Sequence, residues 1–352
     1  MSVNSTETPF NLTSYKIGED INSISVPIYT TFGILGNILS FTVIVSSNLI
    51  QSTTCMYMIV IAVLDTVILI PRTGVLMEIY NRDLIICNLA SFLFYFPIHC
   101  VALLIVAMTF ERYIVVKYPL KAAGWVTKTR TKRIILAVVV FSSLINIPQI
   151  TMKRIAFDAE NFKTRCFYEG ESNVFFFAKI YPWIDAIVYC YFPVSSLMIL
   201  NILIIKNLKT SKQNLNECTN RRSVINKQQT QITIMLILVS CAFLILTGPV
   251  GAMLVIEKYL WIPKSLEDLG RFHLIHAVTD NMMFINHALN FILYVVSGKK
   301  FRKELKIIFL NKMLCKYCFR KKCAQREEQI CVHKFDEVSP KEVSLDYSVD
   351  LG

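Results

Sequence analysis

Charged side chains are scarce in this chain. Asp, Glu, Lys and Arg together make up 18% of its 352 residues, whereas hydrophobic residues make up 54% and the mean hydropathy is +0.49. That apolar share exceeds what an ordinary soluble domain uses. The composition therefore argues against a typical soluble protein and indicates one that is embedded in a bilayer.

The sequence also lacks the signatures of catalysis and of transport. It contains no nucleophile triad, no side chains spaced as a metal cage and no phosphate-binding loop, so we predict neither an enzymatic activity nor a cofactor or metal. It contains no paired repeats of the kind that surround the midplane ion site of transporters. A transporter or channel is therefore kept only as a disfavoured alternative.

Seven apolar runs divide the chain. Most reach the roughly 20 residues that a spanning helix needs, and the fourth is the shortest. They lie at Val26–Ser47, Cys55–Ile79, Cys87–Val116, Ile134–Ile150, Phe175–Ile205, Ile232–Ile256 and Phe272–Val296. The runs predict an all-α membrane protein, a bundle of seven transmembrane helices with its two termini on opposite sides of the bilayer.

Basic residues predict the orientation of this bundle. They crowd into residues 117–133, 206–227 and 299–326, which are cytoplasmic if the N-terminus is outside, as the positive-inside rule requires. This placement accounts for the net charge of +12 without nucleic acid as a partner. The glycosylation sequons at Asn4 and Asn11 agree with it. Residues 1–16 are polar and do not read as a signal peptide, so we expect the first helix to serve as its own insertion signal.

Two of the eleven cysteines stand apart from the others. Most lie inside apolar runs or in the C-terminal segment, where thiols stay reduced. Cys87 begins the third run on the outer side and Cys166 lies in the outer loop after the fourth, so both face an oxidising compartment. We expect a Cys87–Cys166 disulfide that holds this loop over the bundle and contributes about 2–5 kcal/mol. Two free thiols are the alternative.

A charged pair, Glu111–Arg112, ends the otherwise apolar third run. Arg112 follows Cys87 by 25 residues, which is about 37 Å along a helix, so one unbroken helix places the cysteine at the outer rim and the pair at the inner rim. Ionisable residues at membrane depth are costly and mark functional sites. We predict that Glu111 restrains Arg112 until the arginine is released toward a cytoplasmic partner. An arginine that merely extends to the headgroups is the alternative.

Residues at matching depths in several helices together resemble the rhodopsin-like family of G-protein-coupled receptors, over about Gly36–Phe309. They are Gly36–Asn37, Leu64–Asp65, Cys87, Glu111–Arg112–Tyr113, Pro119, Cys166, Pro193, Pro249, Asn290 and Tyr294. The resemblance implies that an external ligand shifts the bundle between two packings, and that the sixth helix bends at Pro249 to admit a heterotrimeric G protein. It assigns coupling and activation to Asp65, Glu111, Arg112, Tyr113, Pro249, Asn290 and Tyr294.

Buried polar residues near the middle of the bundle are expected to satisfy one another or to bind ordered water. Asn37, Asp65 and Asn290 form this set, and a network of that kind can hold two alternative arrangements. A purely structural polar cluster is the alternative.

The chain departs from the family's pattern at several positions. The residue two before Pro249 is not the usual tryptophan, Phe291 replaces the proline of the family's Asn–Pro pair, and Asn201 stands where a tyrosine is common. A sodium ion beside Asp65, which the resemblance implies, is in doubt because Val101 stands where a serine commonly helps to coordinate it. The switching details of the family therefore do not carry over unchanged.

The outer halves of the helices limit the class of ligand. The outer part of the third helix has no acid to hold an amine, and the seventh has no lysine to hold retinal. Charges that cost a few kcal/mol each in lipid occur instead and should line a wet cavity. The candidate ligand-binding residues are Arg72, Glu78, Phe94, Tyr95, His99, Asp185, His276 and Asp280, with Tyr181 and Trp183 as further aromatic surface. Opposed charges beside aromatic rings suit a short peptide, and an internal Arg72–Asp280 salt bridge is the alternative.

The segment NHALNFILYVVSGKKFRKEL also resembles invertebrate neuropeptide receptors, including those for FMRFamide-like peptides. We therefore expect a plasma-membrane receptor that binds an extracellular neuropeptide and activates a G protein. A seven-helix receptor for a non-peptide ligand and a scavenger receptor that does not couple are alternatives. The intact Glu111–Arg112–Tyr113 disfavours the second of them.

The C-terminal part predicts contacts with the membrane and with a regulator. Phe301, Leu305, Ile308 and Phe309 share one face of a short amphipathic eighth helix that lies along the bilayer surface. A candidate palmitoylation cluster follows, for which zinc binding is the alternative; it consists of Cys315, Cys318 and Cys323. The predicted phosphorylation sites, which would recruit arrestin, are Ser339, Ser344 and Ser348. The predicted parts are an extracellular tail at 1–25, the receptor domain with its amphipathic helix at 26–310, and a disordered cytoplasmic tail at 311–352.

Overall fold

Helices account for most of the computed structural model, which describes residues 13–73, 84–158, 163–213, 220–257, 261 and 264–308. Helices suit an apolar chain because their backbone groups bond within the segment and need no water. The chain divides into two compact units, Met1–Arg302 and Lys303–Gly352. Of the second unit, the described residues 303–308 are helical.

Seven long helices lie in the described part of the first unit, and the predicted seven-helix bundle is confirmed. They are α1 (Thr13–Val45), α2 (Thr53–Leu69), α3 (Leu84–Lys117), α4 (Lys128–Asn146), α5 (residues 171–213), α6 (Asn220–Val255) and α7 (Leu266–Ser297). Within the described residues, all except α7 are long and apolar enough to cross a membrane. α7 has 32 residues but is interrupted by the polar side chains Asp280, Asn281, Asn286, His287 and Asn290.

The connections contain short elements. They are the 3-10 turns Asn48–Gln51 and Ile70–Thr73, the short helices Pro119–Trp125 and Pro148–Thr151, and the strands β1 (Lys153–Asp158) and β2 (Lys163–Tyr168). β1 and β2 pair in antiparallel register, with Ile155 opposite Cys166. Cys166 forms the predicted disulfide with Cys87 at the start of α3, so the hairpin is tied to the bundle.

Prolines shape α5. Its consecutive segments are Glu171–Phe175, Phe176–Ile180, Tyr181–Asp185, Ala186–Tyr191 and Phe192–Gln213, of which the second and fourth are π-helical. Each π-helical segment ends two residues before a proline, at Pro182 and Pro193. A proline cannot donate to the preceding turn and clashes with it, and a wider turn relieves both problems.

Two glycines allow α1 to approach α7 closely. A Cβ atom added at Gly33 would lie 2.7 Å from the Ala288 Cβ, and one added at Gly36 would lie 2.9 Å from the Phe291 Cβ. These separations are shorter than carbon atoms tolerate, so only glycine fits without a shift of the backbone. α1 and α7 therefore pack directly against each other.

The two ends of the bundle carry different residues of α3, and we name each end after them. The disulfide end carries Cys87–Cys166, and the arginine end carries Arg112, at the other end of α3. α3 runs between them and contacts α2, α4, α5 and α6, so it links every level of the bundle.

The C-terminal helix is described only in part. Residues 299–308 are helical, whereas Phe309 and the predicted palmitoylation cysteines lie outside the described residues. The amphipathic eighth helix on the membrane surface therefore stays a prediction.

Candidate functional site

At the arginine end, Glu111 and Arg112 are only 6% and 5% exposed. Tyr57 of α2 and Thr131 of α4 both donate a hydrogen bond to Glu111 Oε1, each at 2.8 Å. These two hydroxyls satisfy a carboxylate that would otherwise be costly to bury. Glu111 is also within electrostatic reach of Arg112, the residue that it is predicted to restrain.

A cavity of about 390 Å³ opens at the arginine end between α1, α2, α6 and the end of α7. Its lining is mainly apolar and includes Ile44, Cys55, Met58, Met235 and Phe301. Tyr113, the third residue of the predicted coupling motif, accepts a hydrogen bond from Lys117 Nζ at 2.7 Å on the exposed surface.

In the middle of the bundle, two of the three polar residues that were expected to satisfy one another or bind water, Asp65 and Asn290, contact each other. Asn290 Nδ2 donates to Asp65 Oδ2 at 2.6 Å. Nδ1 of His287, a residue outside that expected set, lies 2.8 Å from Asp65 Oδ1. Asn37 donates to the His287 carbonyl at 3.2 Å. α1, α2 and α7 are thus joined by one buried network.

The predicted pivot of α6 lies beside a close contact with α5. Pro249 is inside α6, and Tyr191 of α5 donates to the Gly251 carbonyl at 3.1 Å. A Cβ atom at Gly251 would overlap the Cys190 sulfur at 2.0 Å. Tyr294 of α7 is buried, and its hydroxyl has no hydrogen-bond partner within the described part of the chain.

Toward the disulfide end, a buried network joins α3, α4 and α5. His99 Nε2 and Asp185 Oδ1 lie 2.9 Å apart, and Asn146 Nδ2 lies 2.9 Å from His99 Nδ1. Tyr181 donates to Asn146 Oδ1 at 2.7 Å. His99 is fully buried, whereas the Asp185 side chain is 16% exposed. Asp185 is therefore the member of this network that a ligand can reach.

Arg72 and Asp280 do not form the salt bridge that was the alternative to a ligand site. Arg72 Nε donates to the Tyr29 hydroxyl at 3.3 Å, and its guanidinium lies 4.4 Å from the centre of the Phe284 ring. Asp280 has no hydrogen bond or ion pair to any residue that the structure describes. It stays within electrostatic reach of Arg72 and His276.

His276 pairs with a residue that the sequence analysis missed. Its Nε2 lies 3.4 Å from Glu257 Oε2, which brings a second carboxylate near Asp280. Glu257 directly follows the sixth apolar run, Ile232–Ile256, and no pattern in the sequence links it to α7.

Aromatic rings surround these charges. The ring centres of Phe94 and Phe284 are 6.2 Å apart, and those of Tyr95 and Tyr181, which pack edge to face, are 5.4 Å apart. Trp183 is 40% exposed. Around Asp185, Asp280 and Arg72, the described part of the disulfide end thus combines charged groups of both signs with aromatic rings.

Several predicted residues lie outside the described residues. They are Glu78, Asn4, Asn11, Cys315, Cys318 and Cys323. Within the described residues, no group of three His, Cys, Asp or Glu side chains is placed to hold a metal ion.

Comparison with known proteins adds to this geometry. A family model described as "7 transmembrane receptor (rhodopsin family)" matches residues 36–294. An FMRFamide receptor of Drosophila melanogaster is 27% identical over 83% of this chain and 54% of its own length. A thyrotropin-releasing hormone receptor of Mus musculus is 24% identical over 94% of this chain and 83% of its own length. Cysteinyl leukotriene receptor 1 of Mus musculus is 24% identical over 88% of this chain and 88% of its own length. The chain spans about half the length of the first of these relatives.

Proposed function

Because the chain belongs to the rhodopsin family of seven-transmembrane receptors, we propose that it is a plasma-membrane receptor that binds a short extracellular peptide and activates a heterotrimeric G protein. The observation that carries this proposal is that separate buried polar networks join different helices at three levels of the bundle. Networks at Asp185, Asp65 and Glu111 occupy three successive levels. A ligand at one end can thereby bias the packing at the other.

A peptide ligand is supported by relatives named for FMRFamide and for thyrotropin-releasing hormone. The first name denotes an amidated peptide. The relative named for a cysteinyl leukotriene favours a second candidate, a non-peptide ligand. The acidic and aromatic surface of the disulfide end favours the peptide, because a peptide carries both charged and aromatic side chains.

Asp280 indicates what the peptide carries. A carboxylate in a partly buried site is costly unless a cation neutralises it, and no described residue bonds to this one. We assign a basic group of the peptide to Asp280, with Glu257 as a second negative charge nearby. Arg72 offers donors to the peptide carbonyls, and His99 acts through Asp185 because it is itself fully buried.

At the arginine end, we assign the coupling of the G protein to Arg112 and the adjacent cavity. We assign the electrostatic restraint of Arg112 in this packing to Glu111, whose carboxylate accepts hydrogen bonds from Tyr57 and Thr131. Movement of α6 about Pro249 would widen the cavity, since Met235 of α6 forms part of its lining. Asp65, Asn290 and Tyr294 connect this movement to the disulfide end.

The remaining assignments concern the parts of the chain around the bundle. We place the N-terminus outside and the C-terminus in the cytoplasm, on the strength of the basic inner segments. Palmitoylation of the C-terminal cysteines and recruitment of arrestin to the phosphorylated tail belong to the same proposal.

A nucleotide-exchange screen tests the proposal. Membranes from cells that express the chain are exposed to a library of amidated neuropeptides while GTPγS binding to added G protein is followed. We expect at least one peptide to stimulate exchange saturably. Stimulation by a leukotriene-type lipid alone would contradict the peptide ligand. Solute flux across reconstituted vesicles without any stimulated exchange would contradict the receptor function itself.

A further inference from the structure

Both oxygens of the Asp65 carboxylate are engaged inside the protein. His287 Nδ1 lies 2.8 Å from Oδ1 and Asn290 Nδ2 lies 2.6 Å from Oδ2, and both nitrogen atoms donate because an ionised carboxylate only accepts. Asp65 and His287 are fully buried, and Asn290 is 4% exposed. Two nitrogen donors from α7 therefore satisfy an aspartate on α2, at a depth where an unsatisfied carboxylate would be very costly.

The residues present do not fit the sodium ion that the family resemblance implies at this aspartate. Hard cations are bound in proteins by several oxygen atoms. The two groups bonded to Asp65 are instead N–H donors, which point their hydrogen atoms at the carboxylate and repel a cation. Val101, which replaces the usual serine, is fully buried and offers no side-chain oxygen.

His287 is held where it can exclude an ion permanently. Its backbone carbonyl accepts a hydrogen bond from Asn37 of α1 at 3.2 Å, and the imidazole reaches across to α2. A tethered donor has a high effective concentration at its partner. An ion that displaced it would leave a buried Nδ1–H without an acceptor, which is unfavourable.

We propose that the imidazole of His287 takes the place of the sodium ion as the resident partner of Asp65, so that this receptor does not bind sodium in its core. His287 is a positioning residue in this assignment, because it acts through Asp65. The coupling of α2 to α7 is then made by a side chain and does not depend on the concentration of an ion. The inference rests on the family membership and on these contacts, and is independent of the ligand.

Thermal unfolding of the purified full chain in detergent tests this without any agonist. A ligand that binds the native state raises the unfolding midpoint. The midpoint is compared in NaCl and in N-methyl-D-glucamine chloride at equal ionic strength. We expect no sodium-specific shift for the unmodified chain. His287→Ser removes the imidazole, leaves a hydroxyl oxygen and should create a sodium-dependent rise, which the added change Asp65→Asn should abolish.

His287→Asn is the matched control. Its side-chain amide nitrogen lies near the place of Nδ1 and keeps the donor, so this variant should stay as unresponsive to sodium as the unmodified chain. A sodium-dependent rise in the unmodified chain that Asp65→Asn removes would overturn the proposal. So would a cooperatively unfolding His287→Ser form with no response, because something other than the imidazole would then exclude sodium. If His287→Ser does not fold, the sodium dependence of the unfolding midpoint in the unmodified chain, compared with that of Asp65→Asn, still tests the proposal.

Discussion

At the scale of single residues, buried polar side chains in this bundle meet in pairs drawn from different helices. Asp65 of α2 meets Asn290 of α7. Asn201 of α5 and Ser240 of α6 exchange two hydrogen bonds, at 2.8 and 3.0 Å. A bilayer offers no water to an unpaired group, so each pair fixes the register of two helices.

Removal of charge at Asp280 or Arg72 should weaken the response to the peptide agonist. We expect Asp280→Asn and Arg72→Gln each to lower potency at least about tenfold, or roughly 1.4 kcal/mol, because each removes one charged contact. Concentration–response curves of stimulated GTPγS binding measure this. Glu267→Gln is the control, since Glu267 is exposed on the same helix as Asp280 and pairs with Arg271. Curves that superimpose for all four proteins would remove both residues from the ligand site.

Arg112→Ala should separate ligand binding from signalling. Arg112 lies at the opposite end of α3 from the disulfide, so we expect unchanged surface expression and unchanged ligand affinity, with stimulated nucleotide exchange reduced to background. Binding of labelled peptide and GTPγS exchange on the same membranes measure the two quantities. Normal exchange by the variant would show that Arg112 does not couple the receptor.

The sequence predicts some of these residue contacts and not others. The Asp65–Asn290 contact follows from two polar residues at matching depth in different apolar runs. His287 precedes Asn290 by one helical turn and shares its face, which was a usable signal. Asn146 and Tyr57 gave no signal, because a single asparagine or tyrosine in a helix identifies no partner. Pairing across helices depends on their rotation, which a pattern along one chain does not contain.

At the scale of helices, α1 and α7 make an extensive contact. Toward the disulfide end, this contact is formed by polar and aromatic side chains. His273 stacks on Tyr15 at 4.2 Å and lies 2.9 Å from Glu19. Asn281 contacts Asn22 at 2.7 Å and Ser25 at 2.5 Å. Deeper in the bundle the glycines of α1 replace these polar contacts with close backbone packing. The two helices thus adjoin along most of their length.

Gly36→Ala should lower the thermal stability of the bundle. The added methyl group would meet the Phe291 Cβ at 2.9 Å, and overpacking of this kind costs about 1–3 kcal/mol. The unfolding midpoint of the purified protein measures the loss. Gly124→Ala is the matched control, because nothing lies within 4 Å of its added Cβ, and it should be neutral or slightly stabilising.

Relief of the clash provides a second check. Gly36→Ala combined with Phe291→Gly removes the Cβ that the new methyl group meets at 2.9 Å, so Gly36→Ala should cost less in the Phe291→Gly background than in the unmodified chain. Equal costs in the two backgrounds would show that the α1–α7 approach is not what requires glycine at this position.

Helix number was predictable from the sequence, whereas helix ends and the hairpin were not. Seven apolar runs correspond to seven helices because the bilayer demands a fixed length of apolar chain. α1 begins at Thr13, well before its apolar run at Val26, because its polar first turns pack against α7 and need no lipid. β1 and β2 lie in a loop whose alternation of polar and apolar residues is too short to identify as strands. The disulfide that joins this loop to α3 was nevertheless predicted.

At the scale of the whole molecule, the asymmetry between the two ends of the bundle predicts how the chain crosses the membrane. The hairpin and its disulfide mark one end, and the predicted inner basic segments adjoin the other. Disulfides form in oxidising compartments, and Lys and Arg concentrate on the cytoplasmic side. Both rules give the same orientation.

Glycosylation of the N-terminal segment tests that orientation. We expect the chain from cultured animal cells to run faster on a denaturing gel after treatment with peptide N-glycosidase, because Asn4 and Asn11 would face the lumen during synthesis. The double change Asn4→Gln and Asn11→Gln should abolish the shift. An antibody to an N-terminal epitope should stain intact cells. Staining only after permeabilisation would place the N-terminus in the cytoplasm and reverse the proposed topology.

The seam between α1 and α7 also bears on the route by which a ligand arrives. A lipid-soluble compound that diffused sideways out of the bilayer at this seam would have to part contacts that extend from Glu19 to Gly36. A water-soluble compound that descends along the bundle axis at the disulfide end meets no such obstacle from these two helices. A ligand dissolved in the membrane therefore has no direct entry between these two helices.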